Sequence, residues 1–426
     1  MAEKASRILF YLILPPLILF LAFNKHSKDE GSWYKHVIFS DAAGYYSYLP
    51  YWFSKGTIKE IFPDSILDRT GLGFKITDEG KLHTKYTCGV AILQAPFFLV
   101  ADLLADPGRF GPGAFTEMHY GAVSIAGAFY GWLGLVLIYL VLRRRFPVWV
   151  ATTVPLIIFS GTNFYWYIID SAGMSHVYSF FLIALFVFLV GKLLDTPSWL
   201  NFILLGFVAG MVMLVRPTNA MAFVIIFFYN VNGSGQFRER IRFLLSNLKK
   251  VASTILPVFI VFIPQLIYWK YCFGSYFAWS YSGESFDHVM SPYILHVLFS
   301  TNNGLLLYSP VIGLFLLGLF IMMMRGYREG LGVLIIFLIS LYLFASWWSW
   351  YFGCSYGSRC FVDIYPLMAV GLGYLLTASG KRWRTFIIAP FIIACVCLNF
   401  GMIYYYPGCF EAGNWDWNEY VRLFRL

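Results

Sequence analysis

The run Met118-His-Tyr-Gly-Ala-Val-Ser-Ile-Ala-Gly-Ala-Phe-Tyr-Gly-Trp-Leu-Gly-Leu-Val-Leu-Ile-Tyr-Leu-Val-Leu142 passes directly into Arg143-Arg-Arg145. It holds no Asp, Glu, Lys or Arg. It exceeds the roughly 20 apolar residues that a helix needs to cross a bilayer. Clusters of Lys and Arg beside a span mark its cytoplasmic end. This helix therefore enters from outside and ends inside, and the rest of the chain can be oriented from it.

The whole composition agrees. Of 426 residues, 59% are hydrophobic and 12% charged, and mean hydropathy is +0.67. A soluble domain has about 25% charged residues. Aromatics reach 20%, which suits interfacial belts and stacking surfaces for a sugar or lipid chain. The net charge of +9 lies in short clusters between apolar runs, a topology signal. No basic face is interleaved with aromatics on a soluble domain, so a nucleic-acid partner is excluded. Seven Cys occur without a CxxC pair or zinc signature. Cys354 and Cys360 share one outer loop and either bridge or stay free. Residues 6–23 are too long for a signal core and lack a small-residue cleavage site, so they read as a first span.

Working outward from Arg143-Arg-Arg145, eleven spans are expected: 6–23, 118–142, 148–163, 174–194, 199–215, 217–231, 251–269, 304–324, 330–347, 364–378 and 385–405. The N-terminus is then cytoplasmic and the C-terminus outside. Lys4 and Arg7, Arg238 to Lys250, Arg325 and Arg328, and Lys381 to Arg384 all fall inside. Lys55, Lys59, Arg422 and Arg425 go against the rule. Charge parity keeps residues 88–104, with Gln94 and Pro96, from crossing. They are expected in the interface or as a re-entrant helix. One membrane-embedded domain, 1–426, carries a first outer loop at 25–117 and a second at 270–303.

The first loop opens with Phe39-Ser-Asp-Ala-Ala-Gly-Tyr-Tyr-Ser-Tyr-Leu-Pro-Tyr-Trp-Phe53. Ser40 is a candidate N-cap and Asp41 suits a first turn. Tyr45, Leu49, Trp52 and Phe53 share a helical face, so a helix lying along the membrane surface is expected. Asp41 is then either a helix-terminal charge or a base at the boundary between lipid and water.

Other polar groups reach the same outer depth: Lys85-Tyr86, Asp170 to His176, Arg216-Pro-Thr-Asn219, Asn302-Asn303 and Tyr356-Gly-Ser-Arg359. Ionisable groups beside apolar spans are costly and mark function by default. Each also has a plain structural reading. Lys85 can snorkel, Arg216 can cap helix carbonyls, Arg359 can pair with Asp363, and His176 can be packing. Glu284, Asp287 and His288 form a loose cluster that does not amount to a metal site.

Together these segments resemble the GT-C superfamily of polytopic glycosyltransferases, which includes the lipid A aminoarabinose transferases, the protein O-mannosyltransferases and a broad bacterial mannosyltransferase-like branch. The resemblance rests on Ser40-Asp41 and Gly44-Tyr-Tyr-Ser-Tyr-Leu49 after the first span. His83-Thr-Lys-Tyr-Thr-Cys-Gly-Val-Ala-Ile-Leu-Gln-Ala-Pro-Phe97 looks like the family's Lys-Tyr-Pro-Pro-Gly helix. Gly161-Thr-Asn163, Arg216-Pro-Thr-Asn219, Asn303-Gly-Leu-Leu-Leu-Tyr-Ser-Pro310 and Tyr356-Gly-Ser-Arg359 follow. The chain departs from the family in two places. Ala42 follows Asp41 where many members carry a second acid, and Thr87-Cys88 replaces the Pro-Pro.

The resemblance implies an all-α GT-C-type helix bundle with interfacial helices in the first outer loop. It implies inverting transfer of a sugar from a polyprenyl-phosphate donor to a glycan, lipid or protein acceptor, at the outer face of a bacterial inner membrane. Asp41 would be the general base. Lys85, Arg216 and Arg359 would bind the donor phosphate. Tyr45, Tyr46 and Tyr86 would shape the sugar pocket, and His83, Asp170, His176, Asn303 and Tyr356 would complete the substrate contacts. A single acid in the first loop implies no metal and no other cofactor. The rival readings are a lipid-linked glycan transporter or flippase, and a polysaccharide polymerase or ligase.

Overall fold

The computed structural model describes residues 2–27, 37–105, 113–281, 283–406 and 417–424; Arg425 lies outside them. Among the described residues, seven helices are long and apolar enough to cross a membrane: Ala2–His26, Glu117–Arg143, Ser175–Asp195, Leu248–Phe273, Arg328–Ser346, Arg359–Ala378 and Lys381–Tyr405. The chain is an integral membrane protein with a helical bundle. These seven coincide with seven of the expected spans. The other four fall on shorter apolar helices: Val148–Gly161, Trp199–Val215, Pro217–Phe228 and Ile312–Met324. Gly89–Leu104 is of the same class. At about 1.5 Å per residue it is roughly 24 Å long, short of a hydrocarbon core of about 30 Å. Length alone therefore does not separate it from the four.

Burial sorts the bundle. Ser175–Asp195 and Arg359–Ala378 run through the middle, while Ala2–His26, Leu248–Phe273 and Lys381–Tyr405 turn most of their apolar surface outward. Inner helices approach closely where side chains vanish. A Cβ on Gly318 would lie 1.9 Å from the Gly371 carbonyl oxygen, so these two helices touch backbone to backbone, as small residues allow in membranes.

The opening of the long segment after the first helix differs from expectation. Instead of one surface helix there are two, Asp41–Tyr46 and Tyr48–Phe53. The break comes at Ser47 because Pro50 lacks an N–H and its ring would meet the carbonyl four residues back. The aromatic face is turned into protein. Tyr45, Tyr46, Tyr48 and Leu49 are all buried, and only Phe39 and Phe53 are exposed. Tyr46, Tyr48 and Leu49 share a small core with Phe62, Phe74, Phe98 and Tyr268. Ser40 does not cap with its side chain. It sits at φ +48°, its N–H donates to the Thr70 carbonyl at 2.8 Å, and its carbonyl accepts from Gly44 N–H at 3.1 Å. A non-glycine residue there is strained, and such strain gathers at functional positions. The loop then forms a two-stranded antiparallel pair, Lys75–Ile76 with Leu82–His83, before Gly89–Leu104. Cys354 is disulfide-bonded, but not to Cys360, which is a free, buried thiol.

Candidate active site

The centre of the site is two turns of 3₁₀ helix, Arg359–Ile364. On an α-helix Arg359 and Asp363 would face each other at i,i+4. With three residues per turn they diverge, and each takes a distant partner. Arg359 Nη2 donates to Asp41 Oδ2 at 2.7 Å. Asp363 Oδ1 meets His176 Nδ1 at 2.9 Å, and its Oδ2 lies 3.2 Å from Arg216 Nε.

Asp41 Oδ1 accepts from the Tyr86 hydroxyl. Gly44 makes this contact geometrically feasible, since a Cβ there would lie 2.3 Å from Tyr86 Cδ2. The Tyr86 carbonyl is held by the Tyr48 hydroxyl at 2.7 Å, and the Tyr86 ring lies against Tyr45 with centroids 4.5 Å apart. The Tyr45 hydroxyl donates to Ser175 Oγ at 3.1 Å, and Ser175 Oγ also accepts from Arg216 Nη1 at 3.4 Å. Arg216 stands in extended backbone between Trp199–Val215 and the Pro217–Val224 turn. Lys85 Nζ pairs with Glu284 Oε1 at 2.5 Å, and lies 5.4 Å and 5.5 Å from the ring centroids of Tyr86 and Tyr281.

Asp41, Tyr45, Tyr86, Lys85, His176, Arg216 and Arg359 thus form one connected set, drawn from the long segment after the first helix and from the bundle, with Glu284 joining through Lys85. Three cations are matched by three acids, Asp41, Asp363 and Glu284. Burial pushes the Asp41 carboxyl upward, but Arg359, the Tyr86 hydroxyl and Lys85 together outweigh it and hold it below its ordinary value of 3.8. Asp41 is therefore an ionised carboxylate. Burial raises the Tyr45 phenol to about 12 and Tyr86 well above its ordinary range, with the Asp41 charge adding to the effect, so both are hydroxyl donors.

The remaining candidates make other contacts. The Tyr46 hydroxyl donates to the Ala114 carbonyl at 2.5 Å, among Phe98 and Phe115. The Tyr356 hydroxyl turns to Asn399 Oδ1 at 3.1 Å. Asn303, at φ +61°, donates to the carbonyls of Tyr351 and Gly353 at 2.9 and 3.0 Å and shapes a turn. His83 packs its ring against Phe273 at 4.6 Å. Asp170 faces Lys25 at 3.7 Å.

Sequence reasoning did not assign Asp363, Ser175, Glu284 or Tyr281 to this set. Asp363 had a usable signal, an acid inside an apolar run. Glu284 had none, since its partner is 199 residues away. Among the described residues no three His, Cys, Asp or Glu side chains come together as a metal site. Asp41, already engaged by Arg359 and Tyr86, offers few of the oxygen ligands a hard cation takes.

No family model and no curated protein sequence matches the chain. Its architecture does match. The oligosaccharyltransferase AglB of Archaeoglobus fulgidus, solved with an inhibitory peptide and a dolichol-phosphate, aligns at TM-score 0.51 and 12% identity. The alignment covers 93% of this chain and 54% of that one. The chain has a GT-C fold. A second structure of the archaeal enzyme, with zinc and sulfate, aligns at TM-score 0.47 and 12% identity over 94% of this chain and 52% of that one. The chain spans about half the length of these enzymes. Within the GT-C fold, the connected set lies where the loop after the first helix meets the Arg359–Ile364 turn.

Proposed function

We propose that the protein is a membrane glycosyltransferase. It moves a sugar from a polyprenyl-phosphate-linked donor to a hydroxyl of a glycan, lipid or protein acceptor at the outer face of the membrane, with inversion. The observation that carries this reading is the ionised Asp41 carboxylate, oriented by Arg359 and Tyr86 and set beside Lys85 and Arg216 in a GT-C fold. The dolichol-phosphate bound to the archaeal neighbour supports a lipid-phosphate donor.

The step balances as a single displacement. The acceptor oxygen attacks the anomeric carbon and its proton passes to Asp41. The bond from that carbon to the phosphate oxygen breaks, and its electron pair stays on the phosphate. A phosphodiester monoanion becomes a monoester dianion. Cations near that oxygen stabilise the transition state more than the ground state, which is what accelerates a reaction. Lys85, Arg216 and Arg359 take this role. Tyr45 and Tyr86 border the sugar. No metal is required for this set of groups.

The test uses purified full-length chain in lipid nanodiscs and a panel of radiolabelled polyprenyl-phosphate sugars, with envelope extract as acceptor. Label transferred to acceptor, with release of polyprenyl monophosphate and loss of both in Asp41→Asn, is expected. Tight binding of the lipid with no transfer across the panel would overturn the reading in favour of a lipid-glycan transporter.

A further inference from the structure

The Arg216 guanidinium is ion-paired on its Nε side and touches only neutral groups on its Nη side. Its Nε faces Asp363 Oδ2 at 3.2 Å. Its Nη groups meet the Cys360 thiol at 3.2 Å and the Ser175 hydroxyl and His176 Nε2 at 3.4 Å each. N–H···O bonds cluster near 2.9–3.0 Å, so the contacts to Ser175 and His176 are long, and the Cys360 thiol is a weak acceptor; all three partners are neutral. A charged phosphate oxygen is a much stronger acceptor for the same N–H groups. The Arg216 side chain is 17% exposed and can be reached, whereas Asp363 and His176 are wholly buried.

The protonation of His176 follows from its neighbours. A guanidinium only donates, so His176 Nε2 must accept from Arg216 Nη1. Its Nδ1 then carries the proton and donates to Asp363 Oδ1 at 2.9 Å. Asp363, neutral His176 and Arg216 close a three-membered ring of contacts. Within it the Asp363 carboxylate attracts the Nε side of the guanidinium as a buried ion pair, and His176 limits its rotation through Nη1. The Tyr167 ring, 5.2 Å away by centroids, backs the imidazole.

We infer that Asp363 and His176 are positioning residues. They hold Arg216 in one orientation so that its Nη edge is presented to the lipid-linked phosphate. This rests on the proposed function, in which Arg216 is a phosphate ligand. Neither residue touches substrate; both act through Arg216.

The test measures binding of polyprenyl monophosphate by purified full-length chain in nanodiscs, with polyprenol lacking the phosphate as reference, and thermal unfolding in parallel. Arg216→Gln should weaken phosphate-dependent binding about 10- to 100-fold, the range of a charge-assisted hydrogen bond. Asp363→Asn and His176→Leu should each weaken it several-fold or more. Neither should add to the loss when combined with Arg216→Gln, because all three remove one interaction. His176→Gln, whose amide offers one donor and one acceptor like the neutral imidazole, should recover most of what His176→Leu loses. Should Asp363→Asn fail to fold, the two His176 variants carry the comparison. Losses that add to that of Arg216→Gln would overturn the inference, as would a fall in unfolding temperature with phosphate binding unchanged. Normal binding by Arg216→Gln itself would instead remove Arg216 as a phosphate ligand, a separate failure that sits in the proposed function.

Discussion

Replacing Asp41 by Asn changes charge while keeping shape, and the contacts allow the outcome to be worked through. The carboxylate accepts from Arg359 Nη2 at 2.7 Å and from the Tyr86 hydroxyl. An Asn side chain can turn its oxygen to Arg359 and its amide nitrogen to Tyr86, whose hydroxyl can accept. Both contacts survive, and two things are lost. One is the proton acceptor, which in general base catalysis supplies about 10²–10⁴-fold. The other is the counter-charge of Arg359, whose side chain is only 15% exposed. Leaving a largely buried charged donor less well satisfied costs about 1–3 kcal/mol. Asp41→Asn alone therefore lowers both turnover and stability, and does not separate a base from a structural counter-ion.

Adding Arg359→Gln separates them. With both charges gone, the double variant should regain most of the unfolding temperature lost by Asp41→Asn. Arg359→Gln alone should be slowed, since a phosphate ligand is lost. If Asp41 is the base, the double variant falls a further ~10²–10⁴-fold below Arg359→Gln. If Asp41 only balances Arg359, the two turn over at similar rates. The assay is release of polyprenyl monophosphate from the donor, with thermal unfolding on the same preparations. A double variant as active as Arg359→Gln would refute the base assignment.

The pH profile gives an independent reading. Asp41 is held below 3.8, so transfer should persist across the neutral and mildly acid range and be lost only as pH falls through that depressed value; its contribution to stability is lost in the same direction. Burial is the largest influence on this carboxyl and acts upward, so Arg359→Gln, by removing the strongest opposing charge, should move the acid limb up, and an unmoved limb would count against Asp41. Gly44→Ala places a Cβ 2.3 Å from Tyr86 Cδ2 and 2.4 Å from the Gly73 carbonyl oxygen. It should cost about 1–3 kcal/mol of stability by overpacking and reduce transfer by moving Tyr86 off Asp41; unchanged unfolding temperature and activity would contradict the packing described. Transfer should also continue in excess EDTA, and activity abolished by chelator and restored by Mg²⁺ or Mn²⁺ would show ligands other than Asp41.

The sequence was most informative where local rules apply. Seven long apolar helices coincide with spans read from hydropathy and charge, and the break at Arg216-Pro217 was visible as a cation ahead of a proline. Lys85, Arg216, Arg359 and Asp41 were legible as ionisable groups placed near apolar spans, and they converge although they come from separate segments. The pairings were not visible. Arg359 and Asp41 are 318 positions apart, and the expected Arg359–Asp363 pair fails because the turn that carries them is 3₁₀ rather than α. The first loop misled for a similar reason. Tyr45 and Leu49 do share a face, but periodicity does not say whether that face meets lipid or protein, and here Phe98, later in the same loop, and Tyr268, from a distant helix, cover Tyr46 and Tyr48.

These pairings bear on the chemistry proposed. In the site as it stands, Asp41, Asp363 and Glu284 cancel the charges of Arg359, Arg216 and Lys85. A donor phosphate would add one negative charge, and its departure a second. Proton transfer to Asp41 changes this balance at the moment it matters. Once Asp41 carries the acceptor's proton, it no longer neutralises Arg359, and that cation becomes available to the phosphate as its second charge develops. General base catalysis and leaving-group stabilisation would then be two ends of one ion pair rather than separate functions of separate residues. The prediction specific to this coupling is that the loss from Asp41→Asn is smaller when measured in the Arg359→Gln background than in the wild type. The excess in the wild type is the part of the base's effect that passes through Arg359, and equal losses in the two backgrounds would show that Asp41 and Arg359 act independently.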